Sequence, residues 1–95
     1  MYRIFRTKSF EKSFRKLKRS GELKPSVVRD LEEVIDTLVS DGHLPANNRD
    51  HALKGALKEY RECHIKGDLL LIYRKEAKNF ILLLVDIGSH SYLFG

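Results

Sequence analysis

The spacing of apolar residues changes period part-way along this 95-residue chain, and that change decides what it can fold into. From Phe10 to Val39 the apolar side chains recur every three or four positions, the repeat of helices with one buried face. From Glu59 onward they alternate or run unbroken in short stretches, as strands do. Between the two lies His43–Lys54, with Pro45, Asn47, Asn48 and Asp50 and no period at all, which reads as a loop.

Each half divides further. Met1–Arg6 alternates and predicts a short strand, with Tyr2 and Ile4 on one side and Arg3 and Phe5 on the other. Thr7 or Ser9 caps a helix whose apolar face is Phe10, Phe14 and Leu17, ringed by Lys12, Arg15, Lys16, Lys18 and Arg19 and ended by Gly21. Pro25 opens a second helix, where its missing N–H is harmless, and Val27, Val28, Leu31, Val34, Ile35, Leu38 and Val39 form its stripe. Asp41-Gly42 closes it, with Gly42 expected in the left-handed conformation. Glu59–Ile65 places Tyr60, Glu62 and His64 on one face and Arg61, Cys63 and Ile65 on the other. Short turns at Lys66–Asp68 and Lys75–Asn79 then join it to strands Leu69–Arg74 and Phe80–Asp86, an antiparallel meander. The expected fold is α+β, one domain over residues 1–95: an N-terminal strand and a helical hairpin packed on one face of a small antiparallel sheet. The opposite face is free to carry a shallow polar site.

Charge and cysteine content narrow the classes of partner. Lys and Arg number 18 against 13 acids, a formal charge of +5, which attracts polyanions or an acidic protein. The single cysteine, Cys63, cannot form an intramolecular disulfide and fits a reducing compartment; its strand position points it inward. The apolar runs Leu69–Tyr73 and Phe80–Val85 fall well short of the ~20 residues of a spanning helix. No apolar N-terminal stretch resembles a secretion signal. A cytoplasmic protein without a membrane partner is expected.

The candidate chemistry lies in the strand half. His64 ends one strand and Asp68 starts the next, with three residues between them, so the hairpin sets them near each other. His90 follows the last strand, where Gly88 permits a sharp bend back toward the sheet, and His51 sits in the loop that leads into the meander. His43, just past a helix end, reads as structural. Cleavage of RNA by transesterification needs a base for the ribose 2′-OH, an acid for the leaving 5′-oxygen and cations for the phosphorane. Histidines serve both proton roles near neutral pH. Three histidines and an aspartate also suit zinc, but no HExxH or CxxC spacing is present, and neither metal nor cofactor is expected. Lys54 and Arg61, with Lys58, Lys66 and Arg74 nearby, are candidates to hold phosphate, and Phe94 to stack on a base.

Four segments carry a resemblance: Asp50-His51-Ala52-Leu53-Lys54-Gly55, Tyr60-Arg61-Glu62-Cys63-His64-Ile65, Asp68-Leu69-Leu70-Leu71-Ile72-Tyr73 and Gly88-Ser89-His90-Ser91-Tyr92-Leu93-Phe94. Together they resemble the YafQ branch of the RelE-like bacterial toxins. That resemblance implies the toxin of a type II toxin–antitoxin pair, a metal-independent, ribosome-dependent endoribonuclease that cuts mRNA in the A site. It implies functional roles for His51, His64, Asp68, His90 and Phe94. It also implies a cognate acidic antitoxin of ribbon-helix-helix type, through which alone operator DNA would be bound, besides the ribosome and mRNA as partners.

Two positions depart from the family pattern. Leu69 stands where many members have an aromatic residue, and Asp86 stands where members commonly have an arginine, two residues before Gly88. A carboxylate there either removes a cation from the phosphorane or pairs with His90 and orients it. The first effect implies an alternative, a catalytically weakened RNA- or ribosome-binding relative acting mainly with its antitoxin. A third reading, a protein-interaction domain unrelated to RNA, explains neither the histidines nor the charge.

Overall fold

A computed structural model describes all residues, 1–95. Strand β1 (Arg3–Arg6) is followed by helices α1 (Lys8–Arg19) and α2 (Pro25–Val39). Then come β2 (His51–Ala52), β3 (Arg61–Lys66), β4 (Leu69–Glu76), β5 (Ile81–Ser89) and a short helix α3 (His90–Phe94). Single 3₁₀ turns at Ala46–Asn48, Gly55–Leu57 and Ala77–Asn79 link them.

Local chemistry accounts for the helix ends. Thr7, not Ser9, caps α1: its hydroxyl accepts from the Phe10 N–H at 3.0 Å and donates to the Val85 carbonyl at 2.6 Å. Gly21 terminates the hairpin's first arm at φ +79° and Pro25 is the first residue of α2. At the end of α2 the left-handed residue is Asp41 (φ 62°) rather than Gly42, a correction to the expected turn. The N–H groups of Asp41 and Gly42 reach back to Leu38 O and Thr37 O at 3.1 and 2.9 Å, which closes the last turn. Aspartate tolerates this region better than most residues, and its carboxylate is gripped by Lys75, which also holds it ionised below the usual carboxylate range.

The five strands lie in the order β1-β5-β4-β3-β2. The meander is antiparallel as expected, but β1 adds parallel to β5, so the sheet is mixed. Two irregularities shape it. Asp86 pairs with Ile72 and Leu84 with Tyr73, leaving Val85 as an extra residue, and Ile65 is similarly extra opposite β4. The Val85 carbonyl is the one Thr7 satisfies, so the cap of α1 is fastened to the bulge of β5.

Both helices cover one face of the sheet. Phe10 and Leu17 from α1 and Leu31, Val34 and Leu38 from α2 bury against Cys63, Ile65, Leu71, Tyr73, Leu82, Leu84 and Ile87, with Tyr2. The alternation of β3 turns Glu62 and His64 to the other face, where Leu70 and Ile72 of β4 are their register partners. On β1 only the flanking Tyr2 reaches the core, while Ile4 and Phe5 are both exposed at the sheet edge. No helix is long and apolar enough to cross a membrane.

Candidate active site

His51 owes its position to its neighbour. Asp50 accepts hydrogen bonds from the Tyr73 hydroxyl at 2.5 Å and from Arg61 Nε and a terminal nitrogen at 3.3 and 3.2 Å. Tyr73 belongs to the helix-side core, so this knot anchors the loop there and the alternation of β2 sends His51 to the opposite face. Burial and the bond to Asp50 push the Tyr73 phenol above its ordinary range, and the Asp50 carboxylate raises the Arg61 guanidinium.

On that opposite face His51 pairs in register with Glu62. Its Nδ1 lies 2.6 Å from the Arg49 carbonyl, which can only accept, so Nδ1 carries the proton. In the neutral ring Nε2 then carries the lone pair, and it lies 3.6 Å from Oε1 of Glu62, whose residue is only 7% exposed. A proton taken up at Nε2 is met by that carboxylate.

His90 arrives from the other side. Ser89 caps α3 by accepting the Tyr92 N–H at 3.1 Å, and the four-residue spacing stacks His90 against Phe94 with ring centroids 5.1 Å apart. His51, Ala52, Leu53, Lys54, Glu62, His90 and Phe94 line one open depression of about 280 Å³. Two imidazoles, an ammonium and a carboxylate thus share one shallow surface with an aromatic ring at its side. It suits proton transfer on an anionic, partly stacked ligand.

The remaining expected residues fall elsewhere. His64 is on the same face as Glu62, two residues along β3, but lines a neighbouring recess with Asp30, Asn47, Asn48, Arg49 and Lys66. Asp68 is exposed in the β3–β4 turn and does not line the depression. Arg61, expected to hold phosphate, does not line the depression: alternation turns it to the other face, where its guanidinium pairs with Asp50. Cys63 is wholly buried, and burial pushes its thiol up to about 12, so it is no nucleophile near neutral pH. Asp86 neither lines the depression nor hydrogen-bonds to His90; its Oδ1 accepts from Ser13 Oγ at 2.6 Å and from the Ile87 N–H at 2.8 Å.

Glu62 is the residue that reasoning from the sequence overlooked. The signal was available, since Glu62 and His64 occupy alternate positions on the polar face of a strand.

Residues 2–95 match the family described as the bacterial toxin of type II toxin–antitoxin systems, YafQ. The chain belongs to the YafQ family. A curated YafQ-family relative, the mRNA interferase toxin YafQ of Escherichia coli, is 42% identical over 52 residues, which span 55% of this chain and 54% of that protein. Among solved structures, a metal-bound toxin from Helicobacter pylori is 39% identical with a TM-score of 0.87, over 99% of this chain and 100% of that one. The Escherichia coli DinJ-YafQ complex gives a TM-score of 0.84 at 27% identity, over 100% of both chains. The YafQ fold therefore extends through every element described above, including the parallel β1.

Proposed function

We propose that this YafQ-family chain is a ribosome-dependent mRNA endoribonuclease that works by acid–base chemistry in the depression between β2, β3 and α3. The observation that carries the reading is the meeting of His51, Glu62, Lys54, His90 and Phe94 there from separate elements. His51 Nε2 takes the 2′-hydroxyl proton with Glu62 facing the resulting imidazolium, and His90 protonates the leaving 5′-oxygen. Lys54 offsets charge on the phosphorane, and Phe94 stacks on a base. His64, on the same face, and Asp68, at the turn beyond it, contact the RNA where it leaves the depression.

The partners follow from the same surface. An acidic antitoxin of ribbon-helix-helix type complements the +5 charge and links the pair to operator DNA. Support comes from the toxin–antitoxin complex solved for the Escherichia coli relative. A second reading, a weakened relative, draws on Asp86, the carboxylate at a position where the family resemblance calls for a cation.

The test is single-turnover cutting of ribosome-bound mRNA by the parent and His90→Ala. Cutting by the parent that is lost in a folded His90→Ala supports the reading. Parent protein that binds ribosomes but leaves mRNA intact favours the weakened relative, and unaltered cutting by a folded His90→Ala rejects the assignment of His90.

A further inference from the structure

Asp86, Ser13 and Tyr92 meet outside the depression, and their hydrogen bonds have a fixed direction. Ser13 Oγ is 2.6 Å from Asp86 Oδ1 and 3.0 Å from the Tyr92 hydroxyl. An ionised carboxylate only accepts, so the single Ser13 proton goes to Asp86. The Tyr92 hydroxyl must then donate to Ser13. The Ile87 N–H, at 2.8 Å, holds the same Asp86 oxygen in place, and Ser13 is 3% exposed, shielded from competing water.

Tyr92 is gripped on its ring as well. A Cβ at Gly88 would stand 2.5 Å from Tyr92 Cδ2, so the ring lies directly on the β5 backbone. Lys16 Nζ sits 4.8 Å from the ring centroid. A helix of five residues has no stability of its own, so α3 takes its orientation from such contacts. Tyr92 is two residues from both His90 and Phe94, which at about 100° per residue sets it on the far side of α3 from them. One side of the helix is fastened to α1 and β5, and the other presents His90 and Phe94 to the depression.

We infer that Asp86, Ser13 and Tyr92 form a strut that positions α3, and through it the His90 imidazole, for proton transfer. They are positioning residues, and the inference rests on the reading of the depression as an RNA-cleaving site. The carboxylate at residue 86 then has a use that a cation could not fulfil, since a guanidinium or ammonium cannot accept the Ser13 proton.

Tyr92→Phe keeps the ring and removes only the donor; Asp86→Ala removes the acceptor, and Asp86→Asn keeps an acceptor oxygen. Amide exchange across α3 and the His90 ring-proton shifts, measured on the full chain by NMR, report the strut without reference to activity. Tyr92→Phe and Asp86→Ala should speed exchange in α3 by about 3- to 10-fold, the loss of one net hydrogen bond, and shift the His90 signals; Asp86→Asn should restore most of both. Single-turnover cutting should fall by about tenfold or more, with half-saturating ribosome concentration unchanged. Exchange and His90 shifts equal to the parent's in Tyr92→Phe overturn the strut. Loosened α3 with undiminished cutting overturns its link to catalysis, and a parent that cuts nothing condemns the cleavage reading while the NMR result still decides the strut.

Discussion

Glu62 is a buried carboxylate with an imidazole nitrogen 3.6 Å away, and its neutral isostere separates charge from shape. Glu62→Gln should leave folding intact and lower single-turnover cutting by about 10²-fold, the usual cost of one electrostatic stabiliser. An unaltered rate in a folded Glu62→Gln would argue that Glu62 is only structural. The same residues show what a sequence exposes and conceals. The convergence of His51, Lys54, His90 and Phe94 on one depression was legible because all four stand at the boundaries of the strands and the last helix, where the meander brings chain ends together. Arg61 was not, because its partner Asp50 is eleven positions away and only the fold brings them together. His64 and Asp68 were expected to converge with the others from hairpin spacing alone, which fixes their nearness to each other but not to α3.

At the scale of elements, the site depends on how α3 seats against β5. Gly88→Ala would put a methyl group into the Tyr92 ring, which is itself held by Ser13 and Lys16. The ring must move and α3 with it, so cutting should fall by about 10²-fold while the thermal midpoint drops only a few degrees. Growth of cells expressing the variant, scored beside its melting curve, checks this; full toxicity would show that α3 tolerates displacement. The period change foretold strands and helices because burial sets it directly. The parallel direction of β1 was hidden, since a four-residue edge strand with exposed Ile4 and Phe5 has no pattern that records its neighbour. The extension of β5 past Asp86 was hidden too: the bulge at Val85 breaks the alternation where the strand seemed to stop.

For the molecule as a whole, two buried acids predict a loss of stability in alkali. Cys63 ionises near 9.0 when unfolded and at about 12 when folded, and Tyr73 is raised from 10.0 in the same direction, both chiefly by burial. Their folded pKa values lie above the unfolded ones, so their contribution is whole below about pH 9 and is lost as pH rises toward the folded values. Urea midpoints should be level from pH 7 to 9 and fall beyond it, with a shallower fall in Cys63→Ala; a flat profile to pH 11 would contradict the burial of both groups. The +5 charge makes a separate prediction. Association with an acidic antitoxin should slow as salt is raised, and stopped-flow rates indifferent to ionic strength would point to a mainly apolar interface.

The parallel pairing of β1 with β5 also bears on how the protein is made. Arg3–Arg6 find their partners in Ile81–Leu84, and Thr7 reaches Val85 across a sequence separation of 78. A nascent chain that has not yet exposed β5 has nowhere to dock its first strand, and the cap of α1 lacks half its anchorage. His90 and the strut through Tyr92 emerge later still. Contacts this distant in sequence delay folding until β5 has been made. The depression shared by His51 and His90 is therefore incomplete until α3 follows β5 off the ribosome, which leaves that interval for a partner already in the cell to take hold.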